Sequence, residues 1–277
     1  MKNKSFTAQK DILDRFYTNE DVALHLVKKA KSHLVSYKNV VEPSAGAGAF
    51  INAAKQVLHT NVISFDLKPN CPETIAANWL ETEIDLSDTC VIGNPPFGKR
   101  SKLAIAFIQH CIDLQASCIA FILPKTFMKP TLQRVFPSNW SLVQIEPLPR
   151  DAFTLDGLPY HVECVFQVWE KDTRKMSHRW SDIYTPKPYD FHVVKTQDEA
   201  DWFVMGAAPG IVKVPNDVSP NNRGYWIKCV TDKYKVKFNL ELIDWGEYGH
   251  SGVNGGVFWL TKDELLAYYF EEMKDGS

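Results

Sequence analysis

Short apolar runs alternate with amphipathic stretches over the first 170 residues. The runs predict buried strands, and they lie at residues 40–41, 62–65, 90–93, 118–123, 142–145 and 162–169. Between them, apolar residues recur every three or four positions, which predicts helices over about 20–33, 50–58, 101–114 and 125–135. Strands that alternate with helices and finish with two consecutive strands predict a mostly parallel α/β sheet whose last strand is antiparallel.

The loop after the first predicted strand is rich in small residues. Glu42-Pro43-Ser44-Ala45-Gly46-Ala47-Gly48-Ala49-Phe50 leads into a helix, and this is the opening βα unit of a Rossmann-like fold, where glycines let a ligand approach the backbone. Residue 51 is Ile where the dinucleotide fingerprint has a third glycine, which argues against a nicotinamide or flavin dinucleotide. Glu42 would repel a pyrophosphate but attract an ammonium group.

The second predicted strand ends at Asp66, twenty positions after Gly46. An acid at this place can accept hydrogen bonds from both hydroxyls of a ribose. A single acid of this kind is more often a solvated surface residue. The ordered set of Glu42, the glycines and Asp66 favours a pocket for an adenosine-like ligand without a phosphate.

The third predicted strand stops at Asn94-Pro95-Pro96-Phe97. Each proline fixes its φ and lacks an N–H, so the strand cannot continue. The turn offers the Asn94 side-chain amide, two backbone carbonyls and an aromatic ring. Such a turn suits a planar amine held for reaction, because the acceptors take the amino hydrogens while the ring stacks on the heterocycle. The alternative is a strand-ending turn with a buried Phe.

Composition narrows the class of protein. The chain has 277 residues and 45% hydrophobic composition, which is enough for one large domain or for a large domain and a small one. Its net charge is −2. No global cationic field identifies a nucleic-acid binder. The six cysteines form no C-x-x-C pair, so we expect reduced core residues and no metal site. Without a secretory signal or a long apolar run, we expect a soluble, cytoplasmic protein.

The order of the motifs resembles the amino-group adenine methyltransferases that use S-adenosylmethionine, in their gamma-type arrangement. The similarity is carried by Phe16-Tyr17-Thr18, the 42–48 loop, Asp66 and Asn94-Pro95-Pro96-Phe97, and it covers about residues 14–170. The resemblance implies a Rossmann-like class I methyltransferase domain at 1–170 with a mostly parallel sheet. It also implies a small α+β extension at 171–277 that serves target recognition.

The resemblance implies S-adenosylmethionine as cofactor, with its ribose on Asp66 and its adenine near Asn78-Trp79-Leu80. Such enzymes usually have Asp-Phe-Leu there, so Asn78 is a departure. Thr18-Asn19-Glu20-Asp21 also has capping-box spacing, so a helix N-cap is the alternative role for Thr18. The implied cofactor-binding residues are Phe16, Tyr17, Thr18, Glu42, Pro43, Ser44, Ala45, Gly46, Gly48, Phe50, Asp66, Asn78 and Trp79.

The implied catalytic residues are Asn94, Pro95, Pro96 and Phe97. The exocyclic nitrogen of adenine is a poor nucleophile, and hydrogen bonds to the Asn94 side-chain oxygen and the Pro95 carbonyl would localise its lone pair. Phe97 would stack on a base flipped out of the duplex. Further candidates for substrate contacts are Lys99 and Arg100 for phosphates, and Phe153 or Tyr160 for the second face of the base, with core packing as the alternative for both aromatics.

The last hundred residues have less regular patterns. They predict strands at 202–204, 224–230 and 236–242, a helix at 261–273 capped by Thr261 and Glu264, a linker at 184–189 and a glycine-rich loop at 248–256. The expected partner is double-stranded DNA, with a cognate restriction endonuclease as a further partner. The alternatives are methylation of adenosine N6 in RNA or of a protein amide, and a catalytically silent module that binds nucleic acid or a partner enzyme.

Overall fold

The computed structural model describes residues 16–173, 177–183, 190–245 and 259–275. The chain forms two compact units, divided between Arg179 and Trp180. The first unit extends past the predicted boundary at residue 170 because the Arg179 guanidinium donates hydrogen bonds to the backbone carbonyls of Phe136, Pro137 and Trp140. Within the described ranges, no helix is long and apolar enough to cross a membrane.

A seven-stranded sheet forms the centre of the first unit, in the order β4-β3-β2-β5-β6-β10-β7. All its strands are parallel except β10, which is antiparallel to both of its neighbours. This is the strand order of the class I methyltransferase fold, and the predicted fold class, with a mostly parallel sheet and an antiparallel last strand, is confirmed. The strands of the unit are β1 Tyr17–Thr18, β2 Asn39–Glu42, β3 Val62–Asp66, β4 Ile75–Ala76, β5 Thr89–Gly93, β6 Cys118–Pro124, β7 Trp140–Pro147, β8 Phe153–Leu155, β9 Leu158–Tyr160 and β10 Cys164–Lys171.

The helices of the first unit are α1 Glu20–Leu34, α2 Ala49–Leu58, α3 Lys102–Asp113 and α4 Pro130–Gln133. Each of the three long helices buries its apolar face, as the spacing predicted. The predicted helix at 125–135 is wrong: a 3-10 turn, Lys125–Met128, precedes the single turn of α4. Lys129 between them is extended (φ −80°, ψ 144°), because the ring of Pro130 disfavours the α conformation in the residue before it.

A small second sheet, β1-β8-β9, forms from the N-terminal segment and the long connection before β10. Thr18 lies opposite Phe153, and Phe153 lies opposite Tyr160 on the far strand. Thr18 is therefore a strand residue. Asn19 occupies the N-cap position of α1 without a side-chain cap, so the predicted capping box is wrong.

The second unit is an α+β arrangement, as predicted. Its antiparallel sheet has the order β11-β14-β12-β13. The strands are β11 Phe191–Val194, β12 Trp202–Met205, β13 Val212–Lys213 and β14 Gly224–Cys229, and the helices are α5 Trp180–Ile183, α6 Lys233–Leu242 and α7 Lys262–Asp275. The predicted linker at 184–189 and glycine-rich loop at 248–256 lie outside the described residues.

Two predictions for the second unit had different outcomes. The predicted strand at 236–242 is wrong, because α6 begins there after Asp232, whose carboxylate accepts hydrogen bonds from the backbone N–H groups of Tyr234 and Lys235. The predicted terminal helix is confirmed as α7. Its capping box is present, since the N–H of Glu264 donates to the Thr261 hydroxyl and the N–H of Thr261 donates to the Glu264 carboxylate.

Candidate active site

The carboxyl ends of β2, β3 and β5 meet at one edge of the parallel sheet. Two adjoining cavities lie there, of about 200 and about 40 Å³. The larger is lined by Phe16, Tyr17, Pro43, Ser44, Gly46, Asp66, Leu67, Lys68, Ala77, Asn78, Trp79, Leu80, Asn94, Pro95, Pro96, Leu103 and Phe107. The smaller is lined by Phe16, Tyr17, Thr18, Glu42, Ser44, Ala45, Gly46, Ala47, Ala49, Phe50 and Asn94.

The structure brings together every predicted cofactor-binding residue around these cavities except Gly48, which lines neither of them. Sequence reasoning missed several lining residues, among them Leu67 and Lys68 after β3 and Leu103 and Phe107 on α3. The four-residue spacing of the last two, soon after the Asn94 turn, was a signal that could have identified them.

The glycines of the loop are required by close packing. Gly46 has φ +53°, and a Cβ there would lie 3.2 Å from the Tyr17 ring. Gly48 has φ +87°, and a Cβ there would lie 2.6 Å from the Cys71 sulfur. Any other residue would be strained and would push a side chain against a neighbour. The loop therefore leaves its backbone open toward the cavities.

Asp66 is held at the tip of β3 by two backbone donors. The N–H of Gly46 donates to Oδ2 and the N–H of Lys68 donates to Oδ1, each at 2.8 Å. A carboxylate offers about four lone-pair sites, so both oxygens keep the capacity to accept from a ligand. The bond to Gly46 also fixes the glycine loop to β3.

Asn78 and Trp79 form one wall of the larger cavity. The Asn78 side-chain oxygen accepts from the N–H of Leu80, and its amide nitrogen donates to the Glu81 carboxylate. Asn78 thus caps the short turn that positions Trp79. The Trp79 ring is buried against Phe65, with ring centroids 5.4 Å apart, and gives this wall a flat apolar surface.

Glu42 is a buried carboxyl in the smaller cavity. Its side-chain Oε2 has no hydrogen-bond partner among the described residues. Burial raises the pKa of Glu42 well above its usual range, the charge of Asp66 raises it further, and the backbone N–H of Ile51 opposes the shift. A cation entering this cavity would favour the ionised form of Glu42.

The Asn94 side chain is fixed in orientation with one acceptor unpaired. Its Nδ2 donates to the Thr18 hydroxyl at 3.1 Å, and the Ser44 hydroxyl donates to its backbone carbonyl at 3.1 Å. Its Oδ1 is buried and has no partner in the described part of the chain. Pro95 and Pro96 continue the wall of the larger cavity beside it.

The aromatic residues near the turn form a cluster around Phe16. The Phe16 ring centroid lies 5.3 Å from Phe97, 4.8 Å from Phe153 and 5.6 Å from Tyr160. Phe97 is buried and is not among the residues that line the two cavities. Phe153 is also buried, whereas Tyr160 is exposed at 37% of its surface. Phe16 is therefore the aromatic member of the cluster that faces both cavities.

Lys99 and Arg100 follow the Asn94 turn and are exposed at the start of the segment leading into α3. Neither side chain forms an ion pair with another residue in the described ranges. The same ranges contain no cluster of three His, Cys, Asp or Glu side chains that could hold a metal ion.

No protein-family model matches the sequence, and no curated protein matches it. Solved structures do match. TrmN from Thermus thermophilus is 17% identical with a TM-score of 0.38, and the match covers 55% of this chain and 48% of the TrmN chain. A candidate RNA methyltransferase from Pyrococcus horikoshii is 15% identical with a TM-score of 0.44, covering 62% and 92%.

A third match is the modification subunit of a candidate type I restriction enzyme from Vibrio vulnificus. It is 12% identical with a TM-score of 0.46, and the match covers 97% of this chain and 62% of the subunit. The chain thus spans about half the length of TrmN. At these identities the likeness is one of fold alone. The fold of the first unit, which follows from its own strand order, is that of the class I methyltransferases.

Proposed function

We propose that this protein transfers a methyl group from S-adenosylmethionine to the exocyclic N6 amine of adenine in DNA. The observation that carries the proposal is the Asn94 Oδ1 atom, which is buried and unpaired in the described residues while the rest of the side chain is fixed. A buried acceptor without a partner costs about 1–3 kcal/mol. A donor from a ligand is therefore expected at this position, and an amino group supplies one.

The residues around the cavities fit S-adenosylmethionine. Trp79, Leu103 and Phe107 give apolar walls for the flat adenine of the cofactor, and Asp66 can accept from its ribose hydroxyls. Glu42, the unpaired acid in the smaller cavity, matches the ammonium group of the methionine part. When bound, the cofactor supplies a methyl group activated by the positive charge on its sulfur.

Asn94 and Pro95 act on the target amine. The Asn94 Oδ1 and the Pro95 carbonyl accept the two amino hydrogens, which localises the nitrogen lone pair and fixes its direction. As the bond from the nitrogen to the methyl carbon formed, the sulfur–methyl bond would break, S-adenosylhomocysteine would leave as a neutral thioether, and positive charge would develop on the nitrogen. The two oxygens stabilise that charge without reorganising, and the surplus proton then passes to solvent.

The aromatic cluster and the basic residues would hold the rest of the substrate. Adenine inside a duplex cannot reach the cavity, so the base must be flipped out at a cost of a few kcal/mol. Phe16 would then contact the base, supported from behind by Phe97 and Phe153. Tyr160 is exposed and can cover the outer face of the base. Lys99 and Arg100 would contact the phosphates that accompany the flipped nucleotide.

Tritiated-methyl transfer to separate pools of DNA, RNA and protein, followed by nucleoside analysis, tests the proposal. We expect label in DNA as N6-methyladenine. Label in RNA alone would mean that the substrate is RNA and not DNA, while the proposed chemistry at the N6 amine would stand. Label only in protein, or binding of S-adenosylmethionine without transfer to any pool, would overturn the proposed function.

A further inference from the structure

The side-chain amide of Asn78 is held in one orientation by two neighbours of opposite hydrogen-bonding character. Its Nδ2 donates to the Glu81 carboxylate at 2.7 Å, and its Oδ1 accepts from the backbone N–H of Leu80 at 3.3 Å. An ionised carboxylate can only accept, and a backbone N–H can only donate. Reversing the amide would therefore place oxygen against oxygen at Glu81 and nitrogen against nitrogen at Leu80.

The Glu81 carboxylate reaches the larger cavity only through Asn78. Glu81 ends the 3-10 turn Trp79–Glu81, which Asn78 caps. In a capping box, an acid at this position accepts from the backbone N–H of the N-cap residue, whereas the Glu81 carboxylate accepts from the Asn78 side chain. Glu81 is exposed and does not line the cavity. Among the described residues, its carboxylate has no other hydrogen-bond partner.

Backbone contacts place Asn78 beside the residues proposed for the cofactor. The N–H of Ala77 donates to the Asp66 carbonyl at 3.0 Å and joins the segment before the turn to the tip of β3. After the turn, the Thr82 hydroxyl donates to the Trp79 carbonyl at 2.7 Å. Asn78 lines the larger cavity together with Asp66 and Trp79. An adenine whose ribose lies on Asp66 and whose ring lies near Trp79 would thus present an edge to Asn78.

We infer that Glu81 is a positioning residue that selects adenine in the cofactor by fixing the Asn78 amide. The inference rests on the proposed function, because it takes S-adenosylmethionine as the ligand of the larger cavity. A carbonyl oxygen has two lone pairs, so the Asn78 Oδ1 can accept from Leu80 and from the 6-amino group of adenine at once. A base with an oxygen at position 6 would bring a second acceptor to the same place. Glu81 thus excludes such a base without touching it.

Calorimetric titration with two ligands tests the inference without methyl transfer. The ligands are S-adenosylhomocysteine and S-inosylhomocysteine, which has a 6-oxo group in place of the 6-amino group. The wild type should bind S-adenosylhomocysteine at least about tenfold more tightly. Glu81→Gln should lower this preference by about fivefold, because a Gln side chain can donate to the Asn78 oxygen and lets the amide reverse.

Glu83→Gln is the matched control. It removes the same charge from an exposed residue two positions further on, and it should keep the wild-type preference. Equal binding of the two ligands by the wild type, or an unchanged ratio of affinities in Glu81→Gln, would overturn the inference and leave the proposed function standing. Binding of neither ligand by the wild type would overturn the cofactor assignment, and the inference with it.

An exchange at both positions gives a second test. Asn78→Asp keeps the size of the side chain but brings a second carboxylate to Glu81, and repulsion between the two would turn the new carboxylate away from its place at the cavity. The variant should bind S-adenosylhomocysteine about fivefold more weakly than the wild type. Adding Glu81→Gln supplies a donor to the new carboxylate and should restore most of the affinity. If the double variant binds as weakly as Asn78→Asp alone, Glu81 does not position the side chain at residue 78.

Discussion

The Asn94 amide is the residue on which the proposed chemistry depends most. Its nitrogen is bonded to Thr18 and its backbone carbonyl to Ser44, so the side-chain oxygen has one direction before any substrate arrives. A side chain that is already fixed loses little conformational entropy when the amine binds. The orientation of the amide, as well as its presence, should therefore control the rate.

Asn94→Ala should lower the methyl-transfer rate by about a hundredfold or more, because an acceptor of the developing charge is lost. The affinity for S-adenosylmethionine should change little, because the role proposed for Asn94 is to accept a hydrogen bond from the substrate amine. Calorimetric titration with the cofactor beside a tritiated-methyl assay measures both quantities. Full activity of the variant would remove Asn94 from the chemistry.

Thr18→Val should slow transfer by about tenfold, since one hydrogen bond that holds the Asn94 amide is lost. The variant keeps the shape of the side chain, and Thr18→Ser keeps the hydroxyl as a matched control. We expect the loss in kcat rather than in KM, with Thr18→Ser close to the wild type. Equal losses in the two variants would mean that the hydroxyl does not orient the amide.

Glu42→Gln should change how stability and cofactor binding depend on pH. The folded-state pKa of Glu42 is raised by burial, so its neutral form favours the fold at low pH, and that stability is lost as pH rises through the raised pKa. The Gln side chain stays neutral. Near pH 5 the variant should therefore melt at about the same temperature as the wild type. Near pH 8 its melting temperature should be higher, by about 2–4 °C for each kcal/mol that the buried charge of Glu42 costs the wild type.

Cofactor affinity gives the second part of this prediction. If the ammonium group of the cofactor pairs with ionised Glu42, as proposed, wild-type affinity should increase with pH and binding should release a proton. Glu42→Gln should bind more weakly and lose this pH dependence. Titration in buffers of different ionisation enthalpy detects the proton. A melting difference that is equal at both pH values would contradict the assignment of the raised pKa to Glu42.

At the scale of elements, most strands and helices of the first unit were predictable because each has its own periodicity. The exceptions have local causes. Pro130 divides the segment after β6 into two short turns. In α6, apolar residues at 236, 238, 240 and 242 alternate with polar ones and imitate a strand, but they form two helical stripes, one buried and one exposed.

The part of the candidate site that lies at the strand ends was predictable. The carboxyl ends of neighbouring parallel strands meet at one edge of a sheet, and β2, β3 and β5 bring Glu42, Asp66 and Asn94 there. The aromatic cluster was less predictable. Phe16 and Phe153 meet only because β1 pairs with β8, a contact between segments far apart in sequence. No local pattern indicates that pairing, which places Phe16 beside Phe153.

Asp66→Ala tests how two elements depend on one side chain. Asp66 joins β3 to the glycine loop through the N–H of Gly46, so the variant should lose about 1–2 kcal/mol of stability. It should also bind the cofactor at least about tenfold more weakly, because the ribose would lose the acceptor proposed for it. Thermal unfolding and calorimetric titration measure the two effects. Asp217→Ala, at an exposed site in the second unit, should change neither, and unchanged affinity in Asp66→Ala would remove Asp66 from the ribose.

At the scale of the whole molecule, charge is divided unevenly between the two units. Residues 1–179 are net basic and residues 180–277 net acidic, although the chain as a whole is close to neutral. A nucleic acid should therefore associate through the first unit, and the second unit should add little electrostatic attraction. The charged residues can be counted in the sequence, but assigning them to two units requires the boundary between the units, which the structure supplies.

The double variant Lys99→Ala, Arg100→Ala should weaken DNA binding by a similar factor for different sequences. It should also reduce the slope of log affinity against log salt by about two, since two phosphate contacts are lost. Fluorescence anisotropy at several salt concentrations measures the slope. Lys195→Ala, an exposed basic residue of the second unit, should leave it unchanged. An unaltered slope in the double variant would place the phosphates elsewhere.

The register of the small β1-β8-β9 sheet has a consequence for substrate choice. Thr18, Phe153 and Tyr160 lie side by side across its three strands, and the Thr18 hydroxyl accepts a hydrogen bond from the Asn94 side-chain amide. The exposed Tyr160 at one end of this row can contact a nucleic acid that is longer than one nucleoside. If that contact helps to hold the row, an oligonucleotide should be methylated with a higher kcat than free adenosine, and a tritiated-methyl assay with both substrates at saturation measures the difference.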